Sequence, residues 1–144
     1  MNVTYTQARA IVDAALTHAE AAGYKPLTVA VLDTGGAVVA LGRADGSGFL
    51  RPDVAVAKAY GVIGLRMDSR AIAARAADSP EFFTSVAALT GGKVFSVPGG
   101  VLVTDAEGTV LGAAGASGDA SAADEDAVVA GIRAAGLEAR TGEA

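Results

Sequence analysis

The chain of 144 residues contains no cysteine and no tryptophan, and it has a single histidine. The absence of cysteine excludes disulfides, thiolate metal sites, iron–sulfur clusters and a cysteine nucleophile. One histidine excludes any metal site that needs several imidazoles. Only 5% of the residues are aromatic. The chemistry left for a site therefore rests on lysine, arginine, serine and carboxylates.

Basic runs and long apolar runs are also missing. The net charge is −5 and the isoelectric point is near 4.7, which argues against binding to a nucleic-acid backbone and leaves a small molecule or another protein chain as the partner. No apolar run approaches the roughly 18 residues that span a bilayer. The N-terminus lacks a basic segment followed by an apolar one, so we expect a cytoplasmic protein.

Small side chains are abundant instead. The chain has 34 alanines and 19 glycines, yet 51% of the residues are hydrophobic and the mean hydropathy is +0.41. This composition is too apolar for a disordered chain and predicts a core built from small groups. The length suits one domain, and we expect residues 1–144 to form it.

The hydrophobic pattern predicts five helices and five strands. Apolar residues at helical spacing, bounded by glycine, proline or serine, predict the helices, and β-branched runs between glycine turns predict the strands. In chain order we expect a helix over 6–22, strands over 27–33 and 37–43, helices over 52–66, 69–77 and 80–89, strands over 93–97, 101–105 and 109–116, and a helix from 121 to near 136 or 139. Antiparallel strand groups separated by helices indicate an α+β domain with one five-stranded antiparallel sheet, in the order α-ββ-ααα-βββ-α. We expect the tail after residue 137 to fray.

The helix over 52–66 is apolar on all sides, and Lys58 is its only charge between Asp53 and Arg66. A helix of this kind is covered on more than one side. Lys58 has two interpretations. Its methylenes could pack while its ammonium reaches water, or the ammonium could face an anionic ligand or a partner subunit.

Three glycines, at positions 112, 115 and 118, interrupt the last predicted strand, and Ser117 precedes the third. Glycine inside a strand indicates close approach by a ligand or by another backbone. The pattern is not a nucleotide-binding fingerprint, because no phosphate-binding lysine follows it and no βαβ unit surrounds it. Ser117 is either a ligand contact or a turn hydroxyl, and a Ser-His-Asp triad would require His18.

Four carboxylates lie at the start of the last predicted helix: Asp119, Asp124, Glu125 and Asp126. The exposed N–H groups and the dipole of a helix favour carboxylates at this position. A hard cation bound by the carboxylate oxygens is the alternative, although the spacing is not that of an EF-hand.

Three other residues are candidates for ligand binding. His18 lies beside the apolar stripe of the first helix, where it is either a boundary residue or the only imidazole available to haem iron. Arg43 and Arg51 flank the glycine loop after the predicted hairpin. They either bind a carboxylate or pair with the nearby Asp45.

Taken together, these segments resemble the GlcG/HbpS family, which is also found as the C-terminal domain of PduO-type proteins. The resemblance covers nearly the whole chain through VAVLDTGGAVVALGRADG, VAVAKAYG, PGGVLV and VLGAAGASGDASAADEDAVVAGI. The family's D-x-G-G and R-M-D-G hairpin, its Lys-Ala pair and its G-A-I-G-V-S-G end fall on Asp33, Gly35, Gly36, Arg43, Asp45, Gly46, Lys58, Ala59, Gly112, Gly115, Ser117, Gly118 and Asp124. Two loops depart from the family. Its G-G-[IV]-P-[IL] stretch lacks the second proline here and reads Gly99-Gly100-Val101-Leu102-Val103, and its S-G-G-T loop reads Ser117-Gly118-Asp119-Ala120.

The resemblance implies a profilin-like sheet flanked by helices and assembly into dimers or larger oligomers such as octamers. It implies an oligomeric protein that binds haem or a small organic acid in a pocket between subunits, with these ligand-binding residues: Arg43, Arg51, Lys58, Gly99, Gly100, Ser117 and Gly118. Haem iron would bind His18. One alternative is a cofactor-independent enzyme that uses Lys58 and Asp124 as acid–base groups on a small organic molecule. The other is a structural accessory subunit.

Overall fold

A computed structural model describes residues 1–141 of the chain, and it contains five helices and one five-stranded antiparallel sheet, as predicted. Within these residues no helix has the length and apolar character needed to cross a membrane. The elements follow one another as α1 (Tyr5–Ala21), β1 (Thr28–Asp33), β2 (Val38–Arg43), α2 (Arg51–Leu65), α3 (Ser69–Asp78), α4 (Pro80–Leu89), β3 (Gly100–Thr104), β4 (Val110–Ser117), α5 (Ser121–Ala134) and β5 (Glu138–Arg140).

The sheet has the strand order β2-β1-β4-β3-β5, so β1, β4 and β3 are central and β2 and β5 are edges. Helices α1 and α5 pack against each other on one face of the sheet, and α2 crosses the three central strands on the other face. This arrangement explains the all-round apolar character of α2, since one side lies on the sheet and other sides meet α3 and the segment that follows α4.

Glycine and alanine allow the helices to lie unusually close to the sheet and to each other. A methyl group at Gly100 would lie 2.5 Å from the carbonyl oxygen of Lys58, and one at Gly115 would overlap the carbonyl oxygen of Ala55. On the other face, a methyl group at Gly131 would lie 2.5 Å from the carbonyl oxygen of Ile11. The small residues counted in the sequence are therefore concentrated where backbones meet.

The position of the fifth strand differs from the prediction. Residues 93–97 form no strand, and the fifth strand is instead Glu138–Arg140, which follows α5 and pairs with Leu102, Val103 and Thr104 of β3. This strand includes part of the tail that was expected to fray. Val94 lies against Gly61 of α2, so segment 93–97 packs on the helix while β5 occupies the free edge of β3. The sequence pattern of residues 93–97 indicated an extended segment, but it could not reveal that β5 occupies the edge of β3 with which this segment would pair.

Candidate functional site

The residues singled out in the sequence lie at one end of the sheet. At this end β1 and β3 begin, β2 and β4 end, and α2 and α5 have their first turns. His18 and the 24–27 segment approach the same end from α1. The sequence-predicted residues brought to this end are His18, Arg43, Arg51, Lys58, Gly99, Gly100, Ser117, Gly118 and Asp124.

At the centre of this end is a buried ion pair between Lys58 and Asp124. The Lys58 ammonium donates to Oδ2 of Asp124 over 3.1 Å and to the carbonyl oxygen of Ala116 over 2.9 Å. Lys58 is 4% exposed and Asp124 is 1% exposed. Since α2 and α5 lie on opposite faces of the sheet, this pair joins the two helical layers around the end of β4. Neither residue is among those that line the four main surface cavities of residues 1–141.

Gly99 and Gly100 pack against Lys58 and leave no room for a ligand beside it. A methyl group at Gly99 would lie 2.9 Å from the Lys58 nitrogen, and the φ of Gly99 is +133°, which disfavours other residues. Gly118 is also in the left-handed half of the map, at φ +156°, and a methyl group there would overlap the carbonyl oxygen of Pro26. These glycines are needed for close backbone packing, and their predicted role in ligand binding stays a prediction.

A row of polar residues crosses the sheet on the α2 face. Thr28 of β1 lies opposite both Arg43 of β2 and Ser117 of β4, and residues directly opposite in antiparallel strands share a face. The hydroxyl of Thr28 shares a 3.0 Å hydrogen bond with Ser47, and Arg51 donates to Oγ of Ser117 over 3.0 Å. The structure thus brings Arg43, Arg51 and Ser117 together. Ser117 and His18 have different partners, so no Ser-His-Asp triad is assembled.

The four carboxylates near the start of α5 each have a separate protein partner. Asp119 accepts from the backbone amides of Lys25 and Ala120, and these bonds lower the pKa of its carboxyl. Glu125 pairs with Arg70 over 2.8 Å, and Asp124 pairs with Lys58. Within residues 1–141, no group of three or more carboxylate or imidazole side chains is arranged to hold a metal ion.

Asp126 joins α5 to the end of α1 through two side chains. The hydroxyl of Tyr24 donates to its Oδ2 over 2.7 Å, and Nε2 of His18 donates to the same oxygen over 2.8 Å. The hydrogen bonds from Tyr24 and, to a smaller extent, from His18 hold the pKa of the Asp126 carboxyl below its ordinary value. The Tyr24–Asp126 bond also raises the pKa of the Tyr24 hydroxyl. His18 thus links α1 to α5 through Asp126, and its predicted role as a haem ligand stays a prediction.

A groove of about 410 Å³ opens at this end between the C-terminal half of α1 and the two loops that flank β1 and β2. Its buried lining residues, Ala19 and Leu27, form an apolar floor, and the exposed residues at its rim carry one hydroxyl, two carboxylates and one ammonium. The residues that line it are Leu16, Thr17, Ala19, Glu20, Tyr24, Lys25, Pro26, Leu27, Ala44 and Asp45. Of these, only Asp45 was a candidate from the sequence, because the others belong to no motif and meet only through the fold.

The groove wall is connected to the buried ion pair. The backbone amide of Lys25 donates to Oδ2 of Asp119 over 2.8 Å, and the amide of Asp119 donates to Oδ1 of Asp124 over 3.0 Å. The second oxygen of Asp124 binds Lys58. A chain of hydrogen bonds therefore links Lys58 and Asp124 to the backbone of Lys25 at the groove wall.

Comparison with known proteins agrees with this fold and its sequence features. A family model described as haem degrading protein HbpS-like matches residues 3–133. The chain resembles the crystal structure of an HbpS double mutant from Streptomyces reticuli, at 27% identity and a TM-score of 0.79, over 92% of this chain and 86% of that chain. A comparison with curated proteins gave no match.

Two further solved structures share the fold at lower identity. The PduOC–haem complex has a TM-score of 0.84 at 18% identity and covers 97% of this chain and 99% of its own. The Klebsiella pneumoniae protein ORFY has a TM-score of 0.83 at 19% identity, over 93% of this chain and 90% of its own. The family match spans most of the sequence, and these structures match its fold from end to end. The chain belongs to the HbpS-like family.

Proposed function

We propose that this protein binds a small, largely apolar molecule in the groove beside α1, and that haem is the ligand class it accepts. The observation that carries the proposal is the match to the HbpS-like family over residues 3–133. A solved structure of the same fold is a haem complex. The groove supports the proposal because it combines an apolar floor with a few polar groups at its rim, which is the usual character of a small-molecule site.

The groove residues suit binding of the porphyrin through apolar and charged contacts better than binding of the iron through a histidine. The apolar floor suits the ring, and Lys25 supplies a cation for a propionate. The single imidazole of the chain does not line the groove, and its Nε2 is bonded to Asp126. The proposed haem is therefore held by apolar contacts and charge, whereas ligation by His18 would require the His18–Asp126 bond to break.

In this proposal Lys58 and Asp124 position the groove wall. They hold Asp119, which in turn holds the backbone of Lys25. The alternative in which they exchange protons with a substrate lacks a supporting contact, because both side chains are buried and bonded to each other. Arg43 and Arg51 remain exposed at the same end and are available to a carboxylate. We further propose that the protein works as an assembly of copies, as the resemblance implied.

The test is a titration with haemin and with iron-free protoporphyrin IX, followed by absorbance and by quenching of porphyrin fluorescence. The proposal predicts saturable binding of both compounds, and equal binding of both by His18→Ala. If His18→Ala lost haemin binding and kept protoporphyrin binding, iron ligation by His18 would be the basis of recognition. Failure of wild-type protein to bind either compound would refute the haem proposal.

A further inference from the structure

A shallow cavity of about 290 Å³ lies between α2 and the loop that follows α4. Three of its lining residues belong to the helix and three to the loop: Asp53, Val56, Ala57, Gly91, Gly92 and Lys93. The cavity shares no lining residue with the groove beside α1. It is therefore a second place at which a small molecule can be held, separate from the groove of the proposed function.

Helix α2 supplies this cavity with one carboxylate and an apolar floor. Asp53 lies in the first turn of α2, and Val56 and Ala57 follow it three and four positions later. Residues at this spacing share one face of a helix. Asp53 is exposed, whereas Val56 and Ala57 are half-buried. This face of α2 therefore presents a carboxylate at one end of a small apolar surface.

The loop after α4 supplies an ammonium toward the other end of the same helix face. The φ angles of Gly91 and Gly92 are +69° and +82°, so the chain leaves α4 in a left-handed turn that glycine adopts without strain. The ammonium of Lys93 then lies 5.6 Å from the ring centroid of Tyr60 on α2, a contact that favours this position. Tyr60 follows Asp53 by seven positions, which is about 10 Å along the helix axis.

Neither charge of the cavity has a partner of opposite sign. Within residues 1–141, Asp53 and Lys93 form no ion pair with each other or with another side chain. The backbone amide of Lys93 has no acceptor among these residues either. A carboxylate accepts hydrogen bonds, and an ammonium and an amide donate them. The cavity thus offers an acceptor from α2 and two donors from the loop.

We infer that this cavity binds a small zwitterion, namely an amino acid with a short aliphatic side chain. The ammonium of the amino acid pairs with Asp53, its carboxylate pairs with Lys93, and its side chain lies on Val56 and Ala57. Asp53 repels an anion and Lys93 repels a cation, so the two charges together select a molecule that carries both. The inference concerns a site apart from the groove and does not rest on the haem proposal.

Titration of isotope-labelled protein with L-valine, followed by two-dimensional amide NMR at low salt, tests this inference. L-Valine is expected to bind saturably and to shift the amides of residues 53–57 and 91–93. N-Acetyl-L-valine lacks the ammonium and L-valinamide lacks the carboxylate, and each is expected to bind at least tenfold more weakly. Absence of saturable binding, equal binding of the three compounds, or shifts confined to other parts of the chain would overturn the inference.

Two variants with matched controls locate the site. Asp53→Asn and Lys93→Gln are each expected to bind L-valine at least tenfold more weakly than wild type. The controls are Asp78→Asn and Arg75→Gln, which remove exposed charges of α3 outside the cavity and should bind as wild type. Unchanged affinity in the first pair, or the same loss in the controls, would contradict the site. Asp53→Asn should also bind haemin as wild type does, and a loss of haemin binding would contradict the separation of the two sites.

Discussion

Lys58 shows how one residue's role depends on partners that are distant in sequence. From its position on an apolar helix, the sequence allowed two interpretations, in which the ammonium faces either water or an anion. The structure gives it an anion from its own chain, Asp124, which is 66 positions away. A buried ion pair has high energetic cost when only one partner is removed, because the other charge remains without compensation. The sequence showed an unusual lysine and an unusual carboxylate, but nothing in it linked the two.

Replacement of Lys58 tests this structural role. Lys58→Met is expected to lower the free energy of unfolding by about 3–5 kcal/mol, since it leaves Asp124 buried and unpaired. Adding Asp124→Asn should recover at least half of that loss, because the amide oxygen can still accept from the amide of Asp119. Urea unfolding measures both. Lys93→Met, which removes an exposed ammonium 5.6 Å from the Tyr60 ring centroid, should cost no more than about 1 kcal/mol. A loss below about 1 kcal/mol in Lys58→Met would contradict the role.

The hydrogen bond between Tyr24 and Asp126 makes the stability of the protein depend on pH. The pKa of Asp126 in the folded protein is below its ordinary value of 3.8. The stability that the bond contributes is therefore present above pH 3.8 and is lost as the pH falls through the pKa of the folded state. The folded pKa of Tyr24 is above 10.0, so its contribution is present below pH 10.0 and is lost as the pH rises through the folded pKa.

Tyr24→Phe removes this bond and is the variant that tests it. The stability difference between wild type and Tyr24→Phe should be greatest between about pH 4 and 10 and should shrink on both sides of that range. Urea unfolding across the pH range measures the difference. Tyr5→Phe provides the control, because Tyr5 is exposed and its replacement should give no such profile. A difference for Tyr24→Phe that stayed constant with pH would argue against the bond.

At the scale of elements, the contact between α2 and the sheet depends on glycines in β3 and β4. Gly115→Ala places a methyl group onto the backbone of α2 at Ala55. We expect it to lower the free energy of unfolding by about 3 kcal/mol or more, the upper end of the range for overpacked cores. Gly64→Ala is the control on α2 itself, since a methyl group there meets nothing within 4 Å. It should stabilise the protein by about 0.5–1 kcal/mol. Thermal unfolding compares the two, and equal effects would show that α2 does not lie this close.

Most elements were predictable because their signals are local. The hairpin of β1 and β2, the glycine that follows α1 and the proline at the start of α4 are each encoded within a few residues. Segment 93–97 and β5 were not predictable in the same way. Both are short, and which of them joins β3 depends on α5 delivering Glu138–Arg140 to that edge. Local pattern cannot decide a competition between two segments for one strand edge.

At the scale of the whole molecule, the sequence singled out residues that the fold brings to one end of the sheet, but it did not reveal the groove at that end. Lys58, Ser117 and Asp124 stood out because they carry charge or lie next to glycine, and the fold gathers them at one end. The groove is lined by residues such as Leu16, Pro26 and Ala44, which have no individual signature. Their proximity is a product of the chain path from α1 into β1 and from β2 into α2. A motif search therefore finds charged residues and residues beside glycine more readily than the residues that line a groove.

The central claim is that a small molecule binds in the groove beside α1, and filling that groove tests it most directly. Haemin titration of Ala44→Trp, compared with wild type by absorbance, measures the effect of a large side chain at the groove wall. Ala74→Trp carries the same change at an exposed position of α3. We expect Ala44→Trp to bind haemin at least tenfold more weakly than wild type, and Ala74→Trp to bind as wild type. Equal affinity of Ala44→Trp and wild type, with the variant shown to be folded, would contradict the claim.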